Sequence, residues 1–228
     1  MVPVICIDGP SGSGKGTIAT RLAARLGWHL LDSGALYRLV ALAARRAELD
    51  FGDEAALAAC ARGLDIVFEA ARGGDAEDTA VRLDGEEVSA AIRTDAVGQD
   101  ASLVAAVGAV REALVGRQRA FRRAPGLVAD GRDMGTVVFP DAPLKIYLTA
   151  SAEARAERRF KQLSAKGLPA SLRDLFESIR ERDARDVNRT VAPLRPADDA
   201  ITVDSTEMDA EAVFDAVLAQ VRARGLDA

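Results

Sequence analysis

Apolar positions in this chain come in short continuous runs separated by longer stretches of helical period. The runs are Val2–Ile7, His29–Asp32, Leu127–Asp130, Leu144–Thr149 and Ala200–Ser205. A short apolar run bounded by turn residues is the pattern of a strand buried on both faces. Helical patterns follow at Ile18–Leu26, from the turn at Asp32–Arg38 to about Arg46, at Asp53–Arg62, and at Met208–Arg224. Gly27 is placed to end the first of these as a C-cap. Ser33 is placed to open the second as an N-cap. Strands alternating with helices predict an α/β fold with a five-stranded parallel sheet flanked by helices.

One stretch breaks the alternation. Asp65–Glu69 and Ala80–Leu83 alternate like half-buried strands, with a polar loop, Arg72–Asp78, between them. Asp84-Gly85 is a hairpin signal before Glu86–Val88. This predicts a small antiparallel β insertion. Thr94–Ala124 returns to helical period, with expected breaks at Gly98 and Gly108 and an end at Pro125-Gly126. Ser102 and Arg111 lie here, about two and a half helical turns apart, so they do not obviously share a face.

Ser151 opens another helix, in which Arg155, Arg158, Arg159 and Gln162 fall on one side. Lys166-Gly167-Leu168-Pro169 interrupts it. A second helix starts near Ser171 and carries Arg180, Arg182, Arg185, Asp186 and Arg189. Two charge-rich helices joined by a Gly/Pro loop read as a helical lid. The plainer alternative is a solvated helical hairpin held by i,i+4 pairs.

What decides between them is the loop after the first strand: Gly9-Pro10-Ser11-Gly12-Ser13-Gly14-Lys15-Gly16-Thr17. Strand, glycine-rich loop and helix form the setting of a phosphate-binding loop. Its amides form an anion nest, the helix N-terminus adds a positive dipole end, and Lys15 adds a full charge. Gly16 stands where the general pattern has a hydroxyl residue, and Thr17 follows one position late. With such a loop present, the lid is the favoured reading.

The chain has 228 residues, 49% of them hydrophobic, which suits one α/β domain with a small insertion. No apolar stretch is long enough for a bilayer and no signal-peptide pattern opens the chain, so a cytoplasmic protein is expected. The net charge of −5 provides no global field for nucleic acid. Only four of the 30 basic residues are lysines. The rest are arginines, whose planar fork pairs two phosphate oxygens at once. His29 is the single histidine, which makes a histidine-built zinc site or a Ser-His-Asp triad a poor fit. Cys6 and Cys60 have no metal-ligand spacing.

Candidate chemistry therefore sits at the carboxyl ends of the strands, where open parallel sheets bind ligands. Ser33, Tyr37 and Arg38 are placed there to meet a second substrate. Asp130 ends an apolar strand downstream of a phosphate loop, a position from which a carboxylate can hold Mg²⁺ or its water. Arg132 and Asp133 follow directly. The GTPase signature [NT]-K-x-D is absent, and the glycine loop is not that of a protein kinase. Small-molecule phosphoryl transfer remains.

Several stretches together resemble one family. These are GPSGSGKGT at 9–17, LDSGALYR at 31–38, VREAL at 110–114, ADGRDMGTVVFPDAP at 129–143, ERDARDVNR at 181–189 and APL at 192–194. Over nearly its whole length the chain is similar to the bacterial cytidylate kinases, of the nucleoside monophosphate kinase group of P-loop kinases. That group shares the Gly16-Thr17 arrangement.

The resemblance implies Mg²⁺-dependent transfer of the γ-phosphoryl group of ATP to CMP or dCMP. It implies that Gly9, Pro10, Ser11, Gly12, Ser13, Gly14, Lys15, Gly16 and Thr17 cradle ATP, with Thr17 and Asp130 toward the metal, directly or through water. Arg38, Arg132 and Arg189 would clamp the CMP phosphate. Ser33 and Tyr37 would line the acceptor site, and Arg182 and Asp186 would hold the sugar. Ser102, Arg111 and Asp133 would read cytosine. Lys15, Arg132, Arg158 and Arg189 would be the catalytic cations, with Arg158 and Arg159 closing from the lid. The implied layout is a single domain over 1–228. Its core is 1–34, 125–155 and 190–228, its acceptor region with the β insertion is 35–124, and its lid is about 155–189. The expected partners are ATP and CMP or dCMP, with no nucleic acid and no membrane, and the expected state is a monomer. A kinase for UMP or dTMP, or a nucleotide-binding module without turnover, are the alternatives.

Overall fold

The computed structural model describes residues 1–69, 80–165 and 167–227. In chain order the elements are β1 (Val4–Asp8), α1 (Lys15–Leu26), β2 (His29–Asp32), α2 (Ser33–Arg46), α3 (Glu54–Gly63), β3 (Ile66–Glu69), β4 (Ala80–Leu83) and β5 (Glu86–Glu87). Then come α4 (Asp95–Val104), α5 (Gly108–Arg119), β6 (Leu127–Gly131), β7 (Leu144–Thr149), α6 (Ala152–Ala165), α7 (Leu172–Asn188), β8 (Ile201–Asp204) and α8 (Ala210–Arg222). A short 3-10 turn, Ala91–Arg93, precedes α4, and a π-helical turn, Met134–Val138, follows β6.

The main sheet has the order β2-β6-β1-β7-β8, with every pairing parallel. Alternate residues of the central strand feed two cores. Val4 and Cys6 face α2, α4 and α5, joined by Leu36, Leu39, Val104 and Leu114. Ile5 and Ile7 face α1 and α8, joined by Ile18, Leu22, Val217 and Val221. Burial on both faces is why β1 has no polar alternation. A core leucine such as Leu36, fully buried, would cost about 2–5 kcal/mol to truncate to alanine.

The insertion is the predicted antiparallel sheet, order β3-β4-β5. Asp84 and Gly85 turn its hairpin with φ of 52° and 80°, the positive pair that a type I′ turn requires. Val81, Leu83 and Val88 anchor it to the first core. The predicted loop Arg72–Asp78 and Lys166 of the lid loop lie outside the described residues. Among the described residues no helix is long and apolar enough to cross a membrane.

Two local expectations are corrected. Asp32, not Ser33, caps α2, its side chain accepting the Ala35 amide at 2.9 Å; Ser33 is buried as the first helical residue. Gly98 does not break a helix but lies inside α4. A Cβ there would come within 3.1 Å of the Arg38 guanidinium, so the glycine serves close packing. The break expected at Gly108 is present: α4 ends at Val104 and α5 begins at Gly108, which puts Ser102 and Arg111 on two different helices.

Candidate active site

At Gly9 a Cβ would stand 2.0 Å from the Leu148 carbonyl oxygen, so no side chain fits where β1 turns into the loop. Gly14 precedes α1 with φ 90°, a conformation that costs glycine little, and leaves the first amides of the helix open. Lys15 is the first residue of α1 and is buried. Its Nζ donates to the Pro10 carbonyl at 3.1 Å and lies 4.0 Å from Asp130 Oδ1. Burial lowers the Lys15 pKa to about 8, with Arg132 acting the same way and Asp130 opposing. Burial raises Asp130 to about 6, against the pull of Lys15. Asp130 Oδ1 is buried without a hydrogen-bond partner.

Beside the loop is a cavity of about 240 Å³. All ten residues expected around the acceptor line it: Ser33, Tyr37, Arg38, Ser102, Arg111, Arg132, Asp133, Arg182, Asp186 and Arg189. Ser11, Lys15, Gly16 and Asp130 join them from the side of the glycine-rich loop. The lining residues come from that loop, α1, α2, α4, α5, β6 and the segment after it, and α7 with its C-cap Arg189. Thr17 is exposed and lines an adjoining larger groove, shared with Gly12, Arg155, Arg159 and Gln162.

One end of the cavity is a buried ion pair. Arg111 donates to Asp133 through Nη2 and to the Ala105 carbonyl at 3.1 Å through Nη1. Its guanidinium also lies 5.6 Å from the Tyr37 ring centroid, within cation–π range. Asp186 spans the middle. It accepts from the Ser102 hydroxyl at 3.1 Å and from Arg132 Nε at 2.9 Å. Burial works against its charge, but Arg132 and Arg182 hold its pKa below the ordinary carboxylate value.

The rest of the cavity is cationic. Burial, with Arg132 and Arg38 nearby, lowers Arg182 to about 9. Burial likewise lowers Arg38 and Arg189. The buried Nε atoms of Arg182 and Arg189 have no hydrogen-bond partner. Crowded, partly unsatisfied guanidinium groups form a site that gains from an anion of phosphate geometry.

The arginines of α6 divide in a way the sequence did not show. Arg155, not Arg158, reaches the glycine-rich loop: it donates to the Ser11 carbonyl at 3.0 Å and to both oxygens of Asp183 on α7. Arg158 donates instead to Ser205 Oγ at 3.1 Å and to the carbonyls of Ser205, Thr206 and Met208, and lines neither cavity nor groove. The expected helical face is real, but α6 points its two middle arginines to different neighbours. Arg159 pairs with Asp95 of α4 at 2.8 Å.

Two further residues went unread. Asp32 pairs in register with Asp130 and lines the cavity, so two carboxylates meet at adjacent strand ends. Strand-end aspartates are a visible signal, but their adjacency depends on β2 lying beside β6. Asp8 lies one residue past the predicted strand Val2–Ile7 and closes β1. It is buried, and both its oxygens accept backbone amides from the segment after Asp133.

Comparison with known proteins adds the family. A family model described as cytidylate kinase matches residues 5–223. The cytidylate kinase of Pseudomonas aeruginosa strain UCBPP-PA14 is 61% identical over 226 residues, covering 99% of this chain and 98% of its own length. That of Stutzerimonas stutzeri strain A1501 is 60% identical over 225 residues, with 99% and 97% covered. That of Pseudomonas syringae pv. syringae strain B728a is 59% identical over 224 residues, with 98% and 97% covered. The chain belongs to the cytidylate kinase family and is a nucleoside monophosphate kinase.

Proposed function

We propose that this enzyme transfers the γ-phosphoryl group of ATP to CMP or dCMP, giving ADP and CDP or dCDP. The observation that carries the reading is the convergence of Ser102, Arg111 and Asp133 with the arginine cluster on one cavity beside Lys15.

An oxygen of the CMP phosphate attacks the γ-phosphorus, and the bond from that phosphorus to the β,γ-bridging oxygen breaks as ADP leaves. The nucleophile is already anionic, so no general base is needed. The barrier is the approach of two anions and the charge on the moving group, and catalysis is positioning plus electrostatics. Gly9–Thr17 hold the ATP phosphates, with Lys15 reaching the transferred group. Arg38, Arg132 and Arg189 clamp the acceptor phosphate, and each arginine in such a closed site is worth roughly 10³-fold or more. Arg182 and Asp186 hold the sugar. On the lid side, Arg155 is the arginine whose contacts fit a role at the donor phosphates.

Cytosine presents an amino donor at N4 and acceptors at N3 and O2. Ser102 gives its proton to Asp186, which leaves its lone pairs for N4. Asp133 accepts from N4 with the oxygen that Arg111 does not occupy, and Arg111 donates to N3 or O2. Uracil reverses the pattern at positions 3 and 4 and leaves a buried carboxylate facing an oxygen, a strongly discriminating mismatch.

The residues fit Mg²⁺. Asp130 Oδ1 is a buried hard oxygen with no hydrogen-bond partner, and the Thr17 hydroxyl lies in the adjoining groove. A bound ion would supply charge neutralisation for the ATP phosphates. We divide the domain into a core (1–34, 125–155, 190–228), an acceptor region (35–124) and a lid (about 155–189). The proposed setting is a cytoplasmic monomer acting on small molecules rather than nucleic acid.

The test is ADP production with ATP and Mg²⁺ across CMP, dCMP, UMP, dTMP, AMP and GMP. Turnover with CMP and dCMP, with UMP far behind, is expected. A faster rate with another acceptor refutes the cytosine reading. ATP binding without acceptor-dependent turnover refutes the reaction.

A further inference from the structure

Asp8 closes β1 and is 5% exposed. Its Oδ1 accepts the Met134 amide and its Oδ2 the Gly135 amide, each at 2.8 Å. These are the first two amides of the π-helical turn Met134–Val138. Amides that open a helical turn find no partner inside it. A carboxylate gripping both at once is the strong form of that bond. The grip falls directly after Arg132 and Asp133, two residues of the acceptor cavity.

The segment is also held on its other side. Asp8 pairs in register with Gly131 through the β1–β6 ladder. A Cβ on Gly131 would come within 2.7 Å of both Met134 Cγ and Ser33 Oγ, so the backbone has no slack there. The Asp133 carbonyl then accepts the Val137 amide at 2.9 Å and begins the turn. Arg132 and Asp133 thus leave the backbone between two clamps, and Asp8 takes part in both. Their side chains run to Asp186 and Arg111 respectively.

We infer that Asp8 is a positioning residue for acceptor recognition: its carboxylate sets the direction in which Arg132 and Asp133 enter the cavity, and so tunes cytosine selectivity without touching the nucleotide. The inference rests on the proposed reading of Asp133 as a base contact. Asp8 precedes the phosphate loop, yet both its oxygens are engaged by the segment after β6. Its effect therefore falls on the acceptor rather than on ATP.

The test is steady-state kinetics of Asp8→Asn with CMP, UMP and ATP, beside Asp133→Ala. Asparagine keeps the size but turns an amino group toward one of the two amides, so one bond is lost. KM for CMP is expected to rise about tenfold and the CMP:UMP ratio of kcat/KM to fall about tenfold, with KM for ATP within about twofold. If Asp133→Ala loses the ratio and Asp8→Asn keeps it, the Asp8 inference is overturned and the base reading stands. If both variants keep it, both fall. Equal rises in KM for ATP and CMP also overturn the inference, because they mean general loosening. Should Asp8→Asn fail to fold, Asp8→Glu takes its place, since the longer side chain moves the carboxylate away from the same two amides. The same loss of ratio is expected there, and an unchanged ratio overturns the inference.

Discussion

A Cβ on Gly16 would stand 3.3 Å from Oδ2 of Asp130. The general phosphate-loop pattern places a hydroxyl residue at this position; here the Asp130 carboxylate crowds the space. The glycine is thus a steric match to a carboxylate more than a hundred residues away. Gly16→Ala moves Asp130 by a few tenths of an ångström and shifts its distance to Lys15. Alanine also gains roughly 1 kcal/mol of helix propensity in the first turn of α1. The expected result is a melting temperature equal to wild type or higher, with kcat/KM for ATP reduced about tenfold. Thermal unfolding and initial rates on the same preparation check it. Full activity would show that the placement of Asp130 is not critical.

Lys15 reports on donor binding through its proton. Burial holds it at about 8 in the free enzyme, so roughly half of it is neutral at pH 8. A bound triphosphate favours the ammonium form and raises that pKa. ATP binding at pH 8 should therefore take up about half a proton. Calorimetry in two buffers of different ionisation enthalpy measures this. Lys15→Met should lose both the uptake and the turnover. An unchanged proton count in that variant would place the titrating group elsewhere.

Stability should depend on pH through Asp8 and Asp130. Burial pushes Asp8 up to about 7, against the Gly135 and Met134 amides, and Asp130 up to about 6. A carboxyl whose pKa is raised on folding binds its proton more tightly in the folded state. Its contribution is fully present below the unfolded value of about 3.8 and is lost as pH rises through the folded one. The urea midpoint should thus fall between pH 5 and 7.5, and the fall should be smaller in Asp8→Asn. Asp186, held low, acts in the opposite sense only at more acid pH. A midpoint that rises across pH 5 to 7.5 would contradict this assignment.

Arg155 ties the lid to the phosphate loop. It is buried, donates to the Ala150 carbonyl at 2.9 Å and to the Ser11 carbonyl at 3.0 Å, and is paired with Asp183. Removing Asp183 leaves that charge without its counter-ion, though Asp183 itself is partly exposed. Asp183→Ala should cost about 1–3 kcal/mol. It should also raise KM for ATP more than KM for CMP, because Ser11 loses a support. Chemical unfolding and the two KM values measure both. A larger effect on CMP would mean that the clamp serves the acceptor side.

The local features legible in the sequence are those whose cause is local. Runs buried on both faces marked β1, β6 and β7, and Asp84-Gly85 marked its hairpin. Gly27 marked a helix end, its αL backbone ending α1 with φ 65°. The phosphate loop was legible because the residues that shape it are contiguous. Of the ten residues expected around the acceptor, nine lie in the family motifs and Ser102 does not; the break expected at Gly108, between Ser102 and Arg111, is where α5 begins.

The sequence by itself determined the strand–loop–helix phosphate site, the alternating α/β order, the inserted hairpin and the arginine-rich inventory. Hydrophobic period and turn chemistry act over a few residues, so each of these is written where it occurs. Only the tertiary structure decided which arginine of α6 meets the phosphate loop, that Gly98 makes room for Arg38, and that Asp8 holds the backbone beyond Asp133. Those are contacts between segments 60 to 144 positions apart. A side chain's partner across such distances is set by how strands β1, β2 and β6 are ordered and how the helices pack on them. No local preference encodes that order.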